Sequence, residues 1–251
     1  IWKYRKSRAS GIEIMKKRRI NPLWVLYTYI IFLPIALAWT IFTAVVTILA
    51  ITFGLYGAWL EKFIRFWAKF VCVVALCPVT IEGLENIDPK KQYIFAPNHQ
   101  GTFDIFVIYG YLPNRFSWIM KKELMRIPLV GIACKTVGHI SIDRSSPVKA
   151  MDTLKKAEKV LSERGASIVI FPEGTRTRTG EVGRLKGGAF KMASDLGFEI
   201  APVTIRGSFE VMPKGSYWIN PHSISVKYHK PLRYEEGPEF VSKVREIIID
   251  N

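Results

Sequence analysis

Cysteine is scarce in this chain. Cys72, Cys77 and Cys134 are the whole complement, an odd number whose spacing matches no zinc ligand set. A disulfide framework is therefore not expected. Cys72 and Cys77 sit in an apolar stretch, where reduced, buried thiols are expected, and a reducing compartment fits best. A Gly-x4-Gly-Lys-Ser/Thr loop is missing, which excludes a P-loop nucleotidase. So is a Gly-x-Ser-x-Gly elbow, which argues against a covalent serine nucleophile. No ligand cluster suggests a metal, and no internal repeat, low-complexity tract or long linker appears. The most extensive absence is of charge: from Ile20 through Leu60 there is not one charged residue. That is about 40 positions, roughly twice what a single spanning helix needs. A signal peptide is a poor explanation, because the run is too long and no A-x-A-like cleavage site closes it. A chain that opens on Ile1 is expected to continue upstream.

The charge that is present is mostly positive, +15 net in 251 residues of which 49% are hydrophobic. That combination suggests a membrane-associated protein. Lys3, Arg5, Lys6, Arg8, Lys16, Lys17, Arg18 and Arg19 precede the apolar run, opposed only by Glu13. No nucleic-acid module follows this basic stretch, so it suits anionic lipid headgroups better than nucleic acid. Lys62, Arg65 and Lys69 flank the other side, so the positive-inside rule puts both ends on the cytoplasmic face. Two passes or a hairpin dipping into one leaflet both satisfy this. Pro34 is expected to mark a kink or reversal. The spread of Trp24, Tyr27, Trp39, Tyr56, Trp59 and Trp67, rings suited to interfacial depth, favours the single-leaflet hairpin.

After Leu76 the texture changes. Strands are expected at residues 79–82, 92–96, 116–120, 167–171, 200–205 and 223–228. Helices are expected from Val148 to Arg164, with Gly165 as the C-cap, from Gly188 to Leu196, ended by Gly197, and from Glu239 to Ile249. The implied class is α/β, a mainly parallel sheet flanked by helices and preceded by a membrane-embedded two-helix segment. The division expected is residues 1–75 as the basic anchoring hairpin and residues 76–251 as the catalytic domain.

Two short motifs carry chemistry. Asn98-His99-Gln100-Gly101-Thr102-Phe103-Asp104 follows an expected strand and precedes an apolar helix beginning near Thr102. On a regular helix His99 and Asp104 would stand about 140° apart. They meet only if His99 lies in the turn and Asp104 in the first helical turn, which Asn98, Gly101 and Thr102 permit. The Asp would then fix the imidazole tautomer and leave the other ring nitrogen to take a hydroxyl proton. Phe171-Pro172-Glu173-Gly174-Thr175-Arg176 leaves a central strand at its C-terminal end, where α/β sheets place ligands. Gly174 allows a tight turn, and Arg176 offers a planar fork for phosphate.

Together these motifs resemble the glycerolipid acyltransferases, specifically the lysophosphatidic acid acyltransferases. Gly138-His139-Ile140-Ser141-Ile142-Asp143-Arg144 and Ala201-Pro202-Val203-Thr204 resemble two further blocks of that family, in the expected order. Lys121-Lys122-Glu123-Leu124 resembles another, so the likeness covers roughly Ile94 to Gly207. The resemblance implies His99 as general base on the sn-2 hydroxyl of lysophosphatidic acid, oriented by Asp104. It implies Lys121, Arg144, Glu173, Gly174, Thr175 and Arg176 as the substrate-binding set. The cations would sit on the phosphate, Glu173 and Gly174 would shape the turn, and Pro202 would line the wall. His139 falls at a variable position. The acyl donor would be a thioester of coenzyme A or acyl-carrier protein, with no cofactor and no metal. Membrane phospholipids and lysophosphatidic acid would be partners, and nucleic acid would not. An oxyanion donor is expected from backbone around Gly174, and Phe103, Phe106, Ile108, Trp118 and Met120 could line an acyl groove or simply be core. Glycerol 3-phosphate or another lysophospholipid is the alternative acceptor. A non-catalytic anionic-lipid scaffold is the alternative class.

Overall fold

A computed structural model describes residues 21–55, 57–142, 158, 162–163 and 165–250. The expected helix from Val148 to Arg164, Arg144 and the basic stretch before Ile20 lie largely or wholly outside those residues.

The uncharged run opens as one helix, α1 (Pro22–Thr52), 31 residues long and so about 46 Å at 1.5 Å per residue. Asn21 caps it, its side chain accepting from the Leu23 N–H at 3.0 Å. Of the kink or reversal expected at Pro34, the reversal does not occur. A π-helical turn, Thr28–Phe32, comes immediately before and loosens the hydrogen-bond ladder where proline lacks its N–H, so the helix continues. The reversal comes instead between Thr52 and a second helix, α2 (Ala58–Val74). The two run antiparallel: Trp39 packs on Phe63, Phe66 and Phe70, and the Trp67 indole donates to Thr40 Oγ1 at 3.0 Å.

The outward side of α1 inverts the soluble pattern. Small residues, Thr43, Ala44, Thr47 and Ala50, face the protein, while Leu23 (72% exposed), Ile30 (63%) and Leu37 (56%) face away. A helix that hides its threonines and displays its leucines suits a lipid environment. Its composition and length suffice to cross a membrane, and the chain is read as membrane-associated. On α2 the outward residues Trp59, Phe66 and Val73 recur every seventh position. Its inner face is tied to the rest of the chain through Arg65, which donates to the carbonyls of Leu112, Pro113 and Asn114. Those groups close the next helix, α3 (Asp104–Tyr111), a C-terminus that favours a cation.

Among the described residues the sheet has seven strands: β1 (Val79–Glu82), β2 (Tyr93–Pro97), β3 (Phe116–Lys121), β4 (Ile140–Ile142), β5 (Ser167–Val169), β6 (Glu199–Arg206) and β7 (Ile224–Tyr228). Their order is β1-β7-β6-β2-β5-β3-β4, parallel throughout except where β6 meets β7. The six expected strands are present. β4 adds a seventh, which the sequence reading did not assign to a strand. The short helix α4 (Val130–Val137) likewise gave no advance signal. Helices α5 (Gly188–Leu196) and α7 (Pro238–Ile249) form as expected, with a single-turn α6 (Ser208–Val211) between them. Gly197 closes α5 at φ 67°, a conformation that glycine adopts without strain.

Period-two alternation divides the core into two layers. Phe95, Val169, Ala201 and Val203 join Val71, Cys72, Val107 and Ile108 on the side of α2 and α3. Ile94, Ala96, Ile168 and Ile200 join Phe190, Met192, Phe240 and Val244 on the side of α5 and α7. Cys72 and Cys77 are free and buried in the first layer. Phe103 and Ile108 are fully buried and Trp118 is 4% exposed, so these candidates for an acyl groove are core.

Candidate active site

Strand β2 ends at Pro97, and the chain turns through residues 98–103 before α3 begins at Asp104. Asn98, almost fully buried, holds the start of the turn to β6: its Nδ2 donates to the Ile205 carbonyl at 2.9 Å and its Oδ1 accepts the Ile205 N–H at 2.7 Å. The turn brings His99 over the first residue of α3. His99 Nδ1 lies 2.7 Å from Asp104 Oδ2. Asp104 is fully buried, and its Oδ2 also accepts the N–H groups of Gln100 at 2.7 Å and Gly101 at 2.9 Å. Oδ1 accepts the Ser208 hydroxyl. Four donors and the positive end of α3 converge on this carboxyl group in a dry place. An acceptor so placed makes Nδ1 the protonated ring nitrogen and leaves the lone pair on Nε2. The ring keeps 15% of its surface open and stacks on Phe171, centroids 3.7 Å apart and 10° from parallel. Phe171 stacks in turn on Trp118 at 5.2 Å.

The second motif is folded against the first. Gly174 N–H closes the turn on the Phe171 carbonyl at 3.0 Å, and Gly174 takes φ 72°. That N–H is thus engaged within the turn rather than offered to an oxyanion. Glu173 is 7% exposed, with Oε1 accepting the His99 N–H at 2.7 Å and Oε2 the Gly183 N–H at 2.8 Å. Burial raises its pKa, and the two N–H groups act in the opposite direction. Its carboxylate braces the His99 turn instead of facing a substrate. The Thr177 N–H completes the brace by donating to the His99 carbonyl at 2.8 Å. Arg176 Nη1 donates to Thr102 Oγ1 at 2.6 Å, which sets the guanidinium against the turn that carries His99. Thr175 is exposed and accepts from Lys214 Nζ at 2.9 Å. Lys121 ends β3, exposed and 3.7 Å from Glu123.

The structure brings His99, Asp104, Glu173, Thr175 and Arg176 into one neighbourhood, and it adds Ser208, Phe171 as a stacking surface, and Lys214, which the sequence did not point to. Ser208 stands 104 positions from Asp104, and no local pattern announces it. His139 lies elsewhere, buried, bonded to the Tyr109 hydroxyl and accepting the Trp118 N–H at 3.2 Å. Pro202 is buried within β6 beside Ala96. A cavity of about 420 Å³ opens between α2 and the start of β3, lined by Leu60, Ile64, Arg65, Tyr109, Phe116 and His139. Neither His99 nor Arg176 lines it, so the chemistry is argued from the His99 turn. Among the described residues, His, Cys, Asp and Glu nowhere gather in a group of three that could hold a metal ion.

The sequence model of the acyltransferase family matches residues 78–206, which contain both motifs. The chain belongs to the acyltransferase family. Among acyltransferases of known name, it is 32% identical over 202 residues to a chloroplastic 1-acyl-sn-glycerol-3-phosphate acyltransferase of Arabidopsis thaliana, a match covering 78% of this chain and 56% of that protein. It is 31% identical over 185 residues to the 1-acyl-sn-glycerol-3-phosphate acyltransferase of Pseudomonas aeruginosa, covering 72% of this chain and 71% of that one. The chain thus spans little more than half the length of its plastid relatives. The crystal structure of the 1-acyl-sn-glycerophosphate acyltransferase PlsC from Thermotoga maritima superposes with a TM-score of 0.71 at 26% identity, over 86% of this chain and 92% of that one. The acyltransferase fold of this chain therefore includes the N-terminal helices as well as the sheet.

Proposed function

We propose that this acyltransferase moves an acyl group from a thioester to the sn-2 hydroxyl of lysophosphatidic acid, giving phosphatidic acid. One observation carries the reading: a base-orienting His99–Asp104 pair and the Arg176 guanidinium meet on the same turn. His99 Nε2 takes the hydroxyl proton as the oxygen attacks the thioester carbonyl. The tetrahedral intermediate collapses with loss of thiolate, which receives that proton. Such base catalysis contributes about 10²–10⁴-fold, and a phosphate held by Arg176 adds positioning. The names of the relatives support the acceptor, and coenzyme A or acyl-carrier protein serves as the thiol carrier.

The acceptor is itself a lipid, which agrees with the exposed apolar face of α1. Lys62, Arg65 and Lys69 on α2 disfavour a second full crossing, since charged residues at the bilayer centre are costly. We therefore read α1 and α2 as a single-leaflet anchor with the catalytic face toward the cytoplasm.

The test is transfer from a labelled acyl thioester to lysophosphatidic acid in detergent, wild type against His99→Ala, with glycerol 3-phosphate as the parallel acceptor. Phosphatidic acid from the wild type alone is the expected result. Product only from glycerol 3-phosphate would replace the acceptor. Equal activity in His99→Ala would remove the base, and no transfer by either protein, with vesicle binding retained, would favour a scaffold.

A further inference from the structure

The segment after α6 returns across the His99 turn. Gly101 forms a β-bridge with Pro213, and the Thr102 N–H donates to the Met212 carbonyl at 3.0 Å. A Cβ on Gly101 would stand 2.2 Å from the Ser208 carbonyl oxygen, so the two backbones touch with no room between them. The next residue is Lys214. Its own turn is pinned: the Ser216 N–H donates to the Pro213 carbonyl at 3.1 Å, and Gly215 supplies the left-handed step at φ 91°. Lys214 is thus not a lysine on a loose loop. Its ammonium reaches Thr175 Oγ1 at 2.9 Å, beside Arg176 in the chain.

Among the described residues neither Lys214 nor Arg176 has a carboxylate partner; each is held by a neutral threonine hydroxyl. Burial lowers the pKa of Lys214, and the positive charges of Arg178, Arg176 and Lys121 lower it further. A fold that gathers like charges and leaves them unpaired gains by accepting an anion. Lys214 is held to Thr175 and Arg176, the next residue in the chain, to Thr102; two neighbouring cations fixed in this way suit a phosphate monoester, which offers several acceptor oxygens to both at once.

We propose that Lys214 is a second phosphate-binding cation of this site, which together with Arg176 positions the phosphate of the acyl acceptor. This rests on the reading of the site as an acyltransferase acting on a phosphorylated acceptor. Phosphate is also carried by coenzyme A, so the test separates the two sources.

Wild type, Lys214→Met and Lys214→Arg are compared in detergent, varying lysophosphatidic acid and acyl-coenzyme A in turn. Equilibrium binding of lysophosphatidic acid without donor is measured alongside. Lys214→Met is expected to raise KM for lysophosphatidic acid about tenfold or more, with a smaller change in kcat and no change in KM for the donor. Binding weakens by the same factor, and Lys214→Arg recovers most of it. Thermal melting of the variants checks that the fold is kept. A rise in donor KM alone would overturn the assignment by placing Lys214 on coenzyme A. Unchanged KM values and unchanged binding would overturn it outright. If the wild type turns over no lysophosphatidic acid, the proposed function fails, and the binding comparison still judges Lys214: equal or absent binding in wild type and Lys214→Met overturns it.

Discussion

Asp104 shows how closely the site depends on satisfying one buried carboxyl group. Ser208 supplies the donor to Oδ1. Ser208→Ala leaves that oxygen unpaired, and denaturant unfolding should show a loss of about 1–3 kcal/mol. The same variant should lower kcat, because His99 is held through Asp104. Glu173→Gln keeps the shape but turns an NH₂ toward one of two N–H donors. Its expected outcome is a lower melting temperature and a slower enzyme whose KM for the acceptor changes little, since Glu173 touches His99 rather than the binding surface. His229 gives a pH signature of stability. It is buried, 2.8 Å from Thr204 Oγ1, and burial, with Lys227 adding to it, pulls its pKa down to about 4. The unfolded chain therefore binds the proton first, at about 6.5. As pH falls from about 6.5 to about 4, the folded state should lose stability, and His229→Gln should flatten that slope in a series of melts.

At the scale of elements, the link that matters joins α1 to the catalytic turn. Thr28 lies in the π-helical turn of α1, and its Oγ1 accepts the Ile219 N–H at 3.1 Å while donating to the Trp24 carbonyl at 2.5 Å. Ile219 belongs to the same returning segment that crosses Gly101 and carries Lys214. Thr28→Val preserves volume and strands a buried N–H. Melting and denaturant curves should register about 1–3 kcal/mol, with a fall in transfer activity at temperatures where the wild type is fully active. Gly101→Ala is the severe counterpart at the other end of the segment. The Cβ would sit on backbone carbonyls that cannot withdraw, and both expression and activity should collapse.

For the whole molecule, the exposed apolar side of α1 and the turn after it form the surface suited to lipid. Phe53 is 71% exposed and Leu55 62%, and neither belongs to the core. Phe53→Asp with Leu55→Asp should weaken partitioning onto anionic vesicles in flotation assays, while turnover of acceptor dispersed in detergent stays close to wild type. Equal partitioning would move the contact surface away from the turn.

Much of this architecture is local and so was legible in the chain itself. The six expected strands carry β-branched or aromatic runs. The uncharged stretch announces a long apolar helix, and the spacing of His99 and Asp104 admits contact only through a turn followed by a helix start. What local pattern could not decide was where the hairpin reverses, because a π turn absorbs Pro34 and leaves the helix running to Thr52. Nor could it reveal that Ser208 completes the hold on Asp104, that Glu173 serves the backbone of His99, or that Lys214 stands beside Thr175. Those contacts join residues from about 40 to more than 100 positions apart. Each depends on parallel strands delivering their C-terminal loops to one edge of the sheet, and burial there, not sequence spacing, sets which charges are paired and which are left for a substrate.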